Sequence, residues 1–137
     1  MTHQELEEGL VLNLNFNKLS KMNSSLMVIP VAVQNYDTKE IILIAYTNEY
    51  AFKETIRTKV LTVWSTSRNE LWIKGKSSGN TFKVLDIRIN CEQNSLVYVV
   101  KPQKGNICHT NNSEGKPRNC FYRRLDIENL KLETLDQ

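Results

Sequence analysis

The sequence predicts an α+β domain of mostly antiparallel β strands with few helices. Two observations predict it. Short runs of β-branched and apolar residues recur along the chain, separated by polar and glycine-containing turns. Only one interior segment, after Asn48, joins a capping residue to apolar positions at helical spacing. The 137 residues suit one domain that buries about two thirds of its unfolded surface. A 40% hydrophobic and 24% charged composition excludes disorder and coiled coil.

Residues 1–25 are polar and mixed, and they predict a peripheral segment with a short helix around Glu5 to Leu12. The single domain then covers residues 26–137. Leu26 to Gln34 (LMVIPVAVQ) reads as a strand, Tyr36 to Lys39 as a tight turn, and Ile41 to Tyr46 (IILIAY) as a second strand. The second strand is apolar enough to predict burial on both faces. Asn48 caps a helix running to about Thr58, with Phe52, Thr55 and Ile56 inward. Val60 to Trp64 and Leu71 to Lys74 are strands, and Ser77 to Asn80 is a loop. Phe82 to Cys91 is a strand with Leu96 to Val100 as its hairpin partner. Gly105 to Asn119 is a loop, and Asp126 to Leu132 a terminal helix.

The chemistry concentrates in three cysteines, Cys91, Cys108 and Cys120. An odd count with an acidic, leader-free start predicts no disulfide framework and a reducing, cytoplasmic setting. No apolar run approaches the roughly 20 residues of a membrane span. The 18 Lys and Arg are spread out and offset by 15 Asp and Glu, which predicts no nucleic-acid partner. Period two along Phe82 to Cys91 places Leu85, Ile87, Ile89 and Cys91 on one face, so Cys91 is expected inward on a strand. Asn90, Glu92 and Asn94 fall on the other face. No C-x-x-C pair is present, yet three thiolates with one open position suit a catalytic zinc. The alternative is three small core residues. His109 is either a fourth ligand or a base beside the metal.

Several stretches in order resemble a known family. These are Ile29 to Asn35, Ala45 to Glu49, Ser65 to Gly75 with Ser77 to Asn80, Cys108 to Thr110, and Cys120 to Arg123. The chain resembles phosphoribosyl-AMP cyclohydrolase, an enzyme of histidine biosynthesis, over about Leu26 to Arg124. The resemblance implies an intertwined homodimer with zinc at the subunit interface, held by Cys91 of one subunit and by Cys108 and Cys120 of the other. It implies hydrolytic opening of the adenine ring of a small phosphoribosyl nucleotide, N1-(5-phosphoribosyl)-AMP, at the C6–N1 bond. His109 is then the candidate general base. Ser65, Ser67, Arg68, Trp72, Lys74, Ser78, Gly79, Asn80 and Arg123 are the candidate substrate contacts. Arg68, Lys74 and the loop amides suit the phosphates, and Trp72 either stacks on a base or packs in the core.

The resemblance also implies magnesium, at positions that here are Asn90, Glu92 and Asn94. Two of the three carboxylates usual in the family are amides, and the formal charge falls from −3 to −1. That predicts weak or absent magnesium binding. Asn35 and Thr66 also depart from the family's Asp and Arg. The stretch Asn111 to Asn119 is longer than usual and carries Lys116 and Arg118. These departures leave two alternatives open: a paralogue acting on another purine-like or amidine substrate, and a non-catalytic zinc-stapled dimer.

Overall fold

The computed structural model describes residues 1–17, 27–76, 79–103 and 119–135. A short helix, α1 (His3–Glu8), opens the chain, with Thr2 and Glu5 forming a capping box. β1 (Ile29–Asn35) and β2 (Ile41–Thr47) form an antiparallel hairpin, followed by α2 (Glu49–Thr58), β3 (Thr62–Ser65) and β4 (Glu70–Ile73). β5 (Phe82–Ile89) pairs antiparallel with β6 (Leu96–Pro102), and β7 (Arg123–Asp126) with β8 (Lys131–Thr134). The fold class is therefore α+β with few helices, as the sequence predicts.

Six strands form one sheet in the order β4-β3-β2-β1-β6-β5. Its parallel pairing is β1 with β6. The sheet curls until the segment leading into β3 meets β5. Val60 bridges Lys83, the Leu61 N–H donates to the Phe82 carbonyl at 2.8 Å, and the Val84 N–H donates to the Lys59 carbonyl at 2.8 Å. The concave side holds the core, with Ile29, Val31, Val33, Phe82, Tyr98 and Val100 fully buried.

Local chemistry explains several element ends. Asn35 is buried, and its Oδ1 accepts the N–H groups of Asp37 (2.8 Å) and Thr38 (3.2 Å), which closes the β1–β2 turn. Asn48 caps α2 by accepting the Ala51 N–H at 2.8 Å, and Lys59 ends it in the left-handed region at φ 60.

Four expectations are corrected. Along β2, Ile44 is 51% and Tyr46 38% exposed, so this strand is covered on one face rather than both. On α2, Ala51 and Thr55 are buried and Phe52 packs against the core, but Ile56 faces solvent. The i, i+4 pair Ala51–Thr55 takes the inner stripe and turns Ile56 away. Asp126 to Leu132 is not helical. Asp126 accepts the N–H groups of Glu128 (3.0 Å) and Asn129 (3.3 Å), an Asx turn that reverses the chain between β7 and β8. Finally, β5 ends at Ile89 and carries an irregularity between Val84 and Asp86, with Leu85 out of register. That bulge breaks the period of two, so Leu85 is exposed while Val84 and Ile87 pack on the core.

One buried polar group stands apart. The Tyr98 hydroxyl is fully buried and has no hydrogen-bond partner among the described residues. Burial pushes its pKa up to about 12. The Thr47 and Thr55 hydroxyls ease this only in part, because neither reaches it in hydrogen-bonding geometry.

Candidate active site

The end of β5 decides where the first cysteine lies. Cys91 lies two residues beyond β5, in the turn that leads to β6, and it is exposed. The expectation of an inward thiol on a strand is therefore corrected. Cys120 is exposed as well, and neither thiol is in a disulfide. The Cys120 N–H donates to the Ile42 carbonyl at 2.8 Å, which fixes this residue beside the start of β2. Cys108 and His109 lie outside the described residues, as do Ser78 and most of the Asn111 to Asn119 stretch.

The pairing scheme locates the two thiols. β1 and β6 run parallel, and β2 and β5 run antiparallel to them. Cys91 sits past the end of β5, next to the start of β6, whereas Cys120 sits at the start of β2, beside the end of β1. They are at opposite ends of the central strands and two to three strand spacings apart, roughly 10–14 Å of sheet. A zinc–thiolate bond is about 2.3 Å. One chain therefore does not bring Cys91 and Cys120 to a common ion. Among the described residues, no three His, Cys, Asp or Glu side chains gather closely enough to hold a metal.

Asn90, Glu92 and Asn94 lie in the same turn as Cys91, not on a strand face. Their side chains are bonded to one another. The Asn90 Oδ1 accepts the N–H groups of Asn94 and Ser95, both at 2.9 Å, and the Asn90 amide donates to the Asn94 Oδ1 at 2.7 Å. The Asn94 amide donates to the Glu92 carboxylate at 3.0 Å. The oxygens that a hard dication would need already accept N–H groups, and only one carries formal charge. This donor set does not fit magnesium.

The other candidates cluster on the β3–β4 hairpin. The Ser65 and Ser67 hydroxyls are 3.3 Å apart, and the Ser65 Oγ accepts the Arg68 N–H at 3.3 Å. Arg68 pairs with Glu70 at 3.6 Å on the exposed side. Arg68, Trp72 and Lys76 line an open groove of about 390 Å³. Lys74 is not part of that lining; its ammonium lies over the Trp72 ring at 5.5 Å and the Phe82 ring at 5.8 Å. Gly75, at φ 79, closes the turn, and a Cβ there would stand 2.1 Å from the Asn80 carbonyl oxygen. Gly79 donates its N–H to the Gly75 carbonyl at 2.7 Å, which ties the described end of the 77–80 loop to β4. Arg123 is exposed at the start of β7, 5.3 Å from the Tyr122 ring. Sequence reasoning missed Lys76, whose place is set by the glycine turn beside it. It also missed Gln93, whose burial no local pattern reveals.

Comparison with known proteins supplies the rest. A family model described as phosphoribosyl-AMP cyclohydrolase matches residues 43–122. The phosphoribosyl-AMP cyclohydrolase of Archaeoglobus fulgidus is 45% identical over 104 residues, covering 76% of this chain and 91% of that protein. The phosphoribosyl-AMP cyclohydrolase of Methanothermobacter thermautotrophicus is 38% identical over 120 residues, covering 88% and 82%. A histidine biosynthesis bifunctional protein of Aquifex aeolicus is 42% identical over 106 residues, 77% of this chain and 48% of that longer protein. These matches define a class first, hydrolases that act on a ring C–N bond. Within that class, the chain belongs to the phosphoribosyl-AMP cyclohydrolase family.

Proposed function

We propose that this protein opens the adenine ring of N1-(5-phosphoribosyl)-AMP at the C6–N1 bond in histidine biosynthesis. The reaction is zinc-dependent and takes place at a site shared between two copies of the chain. The observation that carries this reading is the placement of two exposed thiols at opposite ends of the strands. A single copy cannot close a site from them, but two copies can, with Cys91 from one and Cys108 and Cys120 from the other.

The surface supports a second copy. The convex side of the sheet presents Pro30, Ala32, Ile44, Tyr46 and Val97, all exposed or half-exposed. The β7–β8 hairpin exposes Leu125, Ile127, Leu130 and Leu132. A lone two-stranded hairpin is marginal in water, and both surfaces gain by being covered.

Zinc held by three thiolates supplies the Lewis acidity that makes water nucleophilic near neutral pH. The chain's own residues do the remaining work. His109, next to Cys108, takes up and returns the proton. Arg68, Lys76 and the amides around Gly79 and Asn80 hold the phosphates by charge and N–H donation. Trp72 lines the same groove, with its ring packed against the core and the Lys74 ammonium over it. Magnesium has no part, because the Asn90–Glu92–Asn94 cluster is already satisfied by its own hydrogen bonds.

The test is turnover of phosphoribosyl-AMP by zinc-loaded protein, followed by ultraviolet absorbance across a magnesium titration. Ring opening at full rate without added magnesium is expected. A rate that rises from zero with magnesium would overturn the magnesium-free reading, and no turnover at any concentration would overturn the assigned substrate.

A further inference from the structure

Gln93 is 6% exposed and sits at φ 55, in the left-handed region that a glutamine side chain rarely adopts. Strain of this kind persists only where surrounding bonds enforce it. Here the bonds reach across the chain to the N-terminal segment. The Gln93 Nε2 donates to the Val11 carbonyl at 2.8 Å and to the Leu6 carbonyl at 3.4 Å. Its Oε1 accepts the Asn13 N–H. Its backbone carbonyl accepts the Asn15 N–H at 2.7 Å. One buried residue thus fastens the N-terminal segment at Leu6, Val11, Asn13 and Asn15.

The same residue belongs to the turn that carries Cys91. The Gln93 N–H donates to the Asn90 carbonyl at 3.0 Å, and the Asn90 N–H donates to the Ser95 carbonyl at 3.2 Å. Between the turn and the fastened segment lies a cleft of about 220 Å³, with Leu6, Gly9 and Leu10 on one side and Ile89 and Cys91 on the other. The thiol therefore projects from a turn braced from outside by the N-terminal segment. Cys91 is exposed and no strand holds it; the turn that carries it is held by its own Asn90 bonds and, through Gln93, by that brace.

We propose that Gln93 is a positioning residue, which fixes the Cys91 thiol for metal binding by clamping residues 6–15 against the turn. This rests on the reading of Cys91 as a zinc ligand. Residues that orient a ligand from behind typically change metal affinity 10–100-fold when altered.

The test uses the full chain with Gln93→Asn. Asparagine tolerates the left-handed backbone, but its amide is one methylene too short for the N-terminal carbonyls. Three quantities are read: zinc affinity by chelator competition, the thiolate-to-cobalt absorption band of the Co²⁺-loaded protein, and hydrogen exchange at the Asn13 and Asn15 amides. The expected result is affinity lower by about tenfold, an altered cobalt band and faster exchange at both amides. Gln93→Glu keeps the side-chain length but loses both N–H donors, and it is expected to move all three in the same direction. Faster exchange with unchanged affinity and band would overturn the positioning role. Unchanged exchange would overturn the clamp. If Cys91→Ser leaves zinc affinity unchanged in the parent chain, the metal reading itself fails, and the Gln93 proposal fails with it.

Discussion

Cys91→Ser is expected to leave a protein that folds but holds little zinc and turns over phosphoribosyl-AMP at least about 10³-fold more slowly. The fold survives because Cys91 is exposed in a turn and contributes nothing to the core. The chemistry does not survive, because a serine hydroxyl is a poor substitute for a thiolate toward zinc and water alone is a weak nucleophile at neutral pH. Metal analysis of the purified variant alongside kcat/KM checks both halves. Zinc content and activity equal to the parent would remove Cys91 from the site.

The second large effect concerns stability at alkaline pH. The Tyr98 pKa is raised to about 12, chiefly by burial, against about 10 in the unfolded chain. Below pH 10 the hydroxyl is neutral in both states and adds no pH dependence. As pH rises from 10 to 12 the unfolded chain releases this proton and the folded chain keeps it, so stability falls. Two pKa units correspond to about 3 kcal/mol in all, of which about 1.4 is lost by pH 11. Tyr98→Phe is expected to be near neutral at pH 7, since the hydroxyl has no hydrogen-bond partner among the described residues to lose. The variant should lack this alkaline loss. Urea unfolding of both proteins at pH 9 and pH 11 measures it, and identical losses would contradict the assignment.

Local signals were legible in the sequence and long-range ones were not. The Asn48 cap, the β1–β2 turn and the β5–β6 hairpin each depend on residues close in sequence, and the structure places them where they were expected. The parallel pairing of β1 with β6 joins residues more than 60 apart, and no local pattern encodes it. The apolar run of β2 showed that its residues seek cover, but not that Ile44 and Tyr46 lie exposed on its other face. The bulge took Leu85 off the inward face, and the end of β5 at Ile89 put Cys91 in a turn, beyond the reach of the alternation that aimed it inward. The Asp126 side chain, by bonding two backbone N–H groups, turned an expected helix into a hairpin. The cysteines stood out by their number and position, yet spacing could not reveal that Cys91 and Cys120 lie at opposite strand ends.

That separation makes the sharing of one site between two copies the central claim, and subunit mixing tests it most directly. Cys91→Ser and Cys120→Ser proteins are each expected to be inactive. Mixed in equal amounts, unfolded and refolded together, half of the dimers should pair one of each. Every mixed dimer then holds one site with all its ligands and one with neither Cys91 nor Cys120, so the mixture should recover about a quarter of the parent activity. A mixture as inactive as its two components would contradict a site built from two chains.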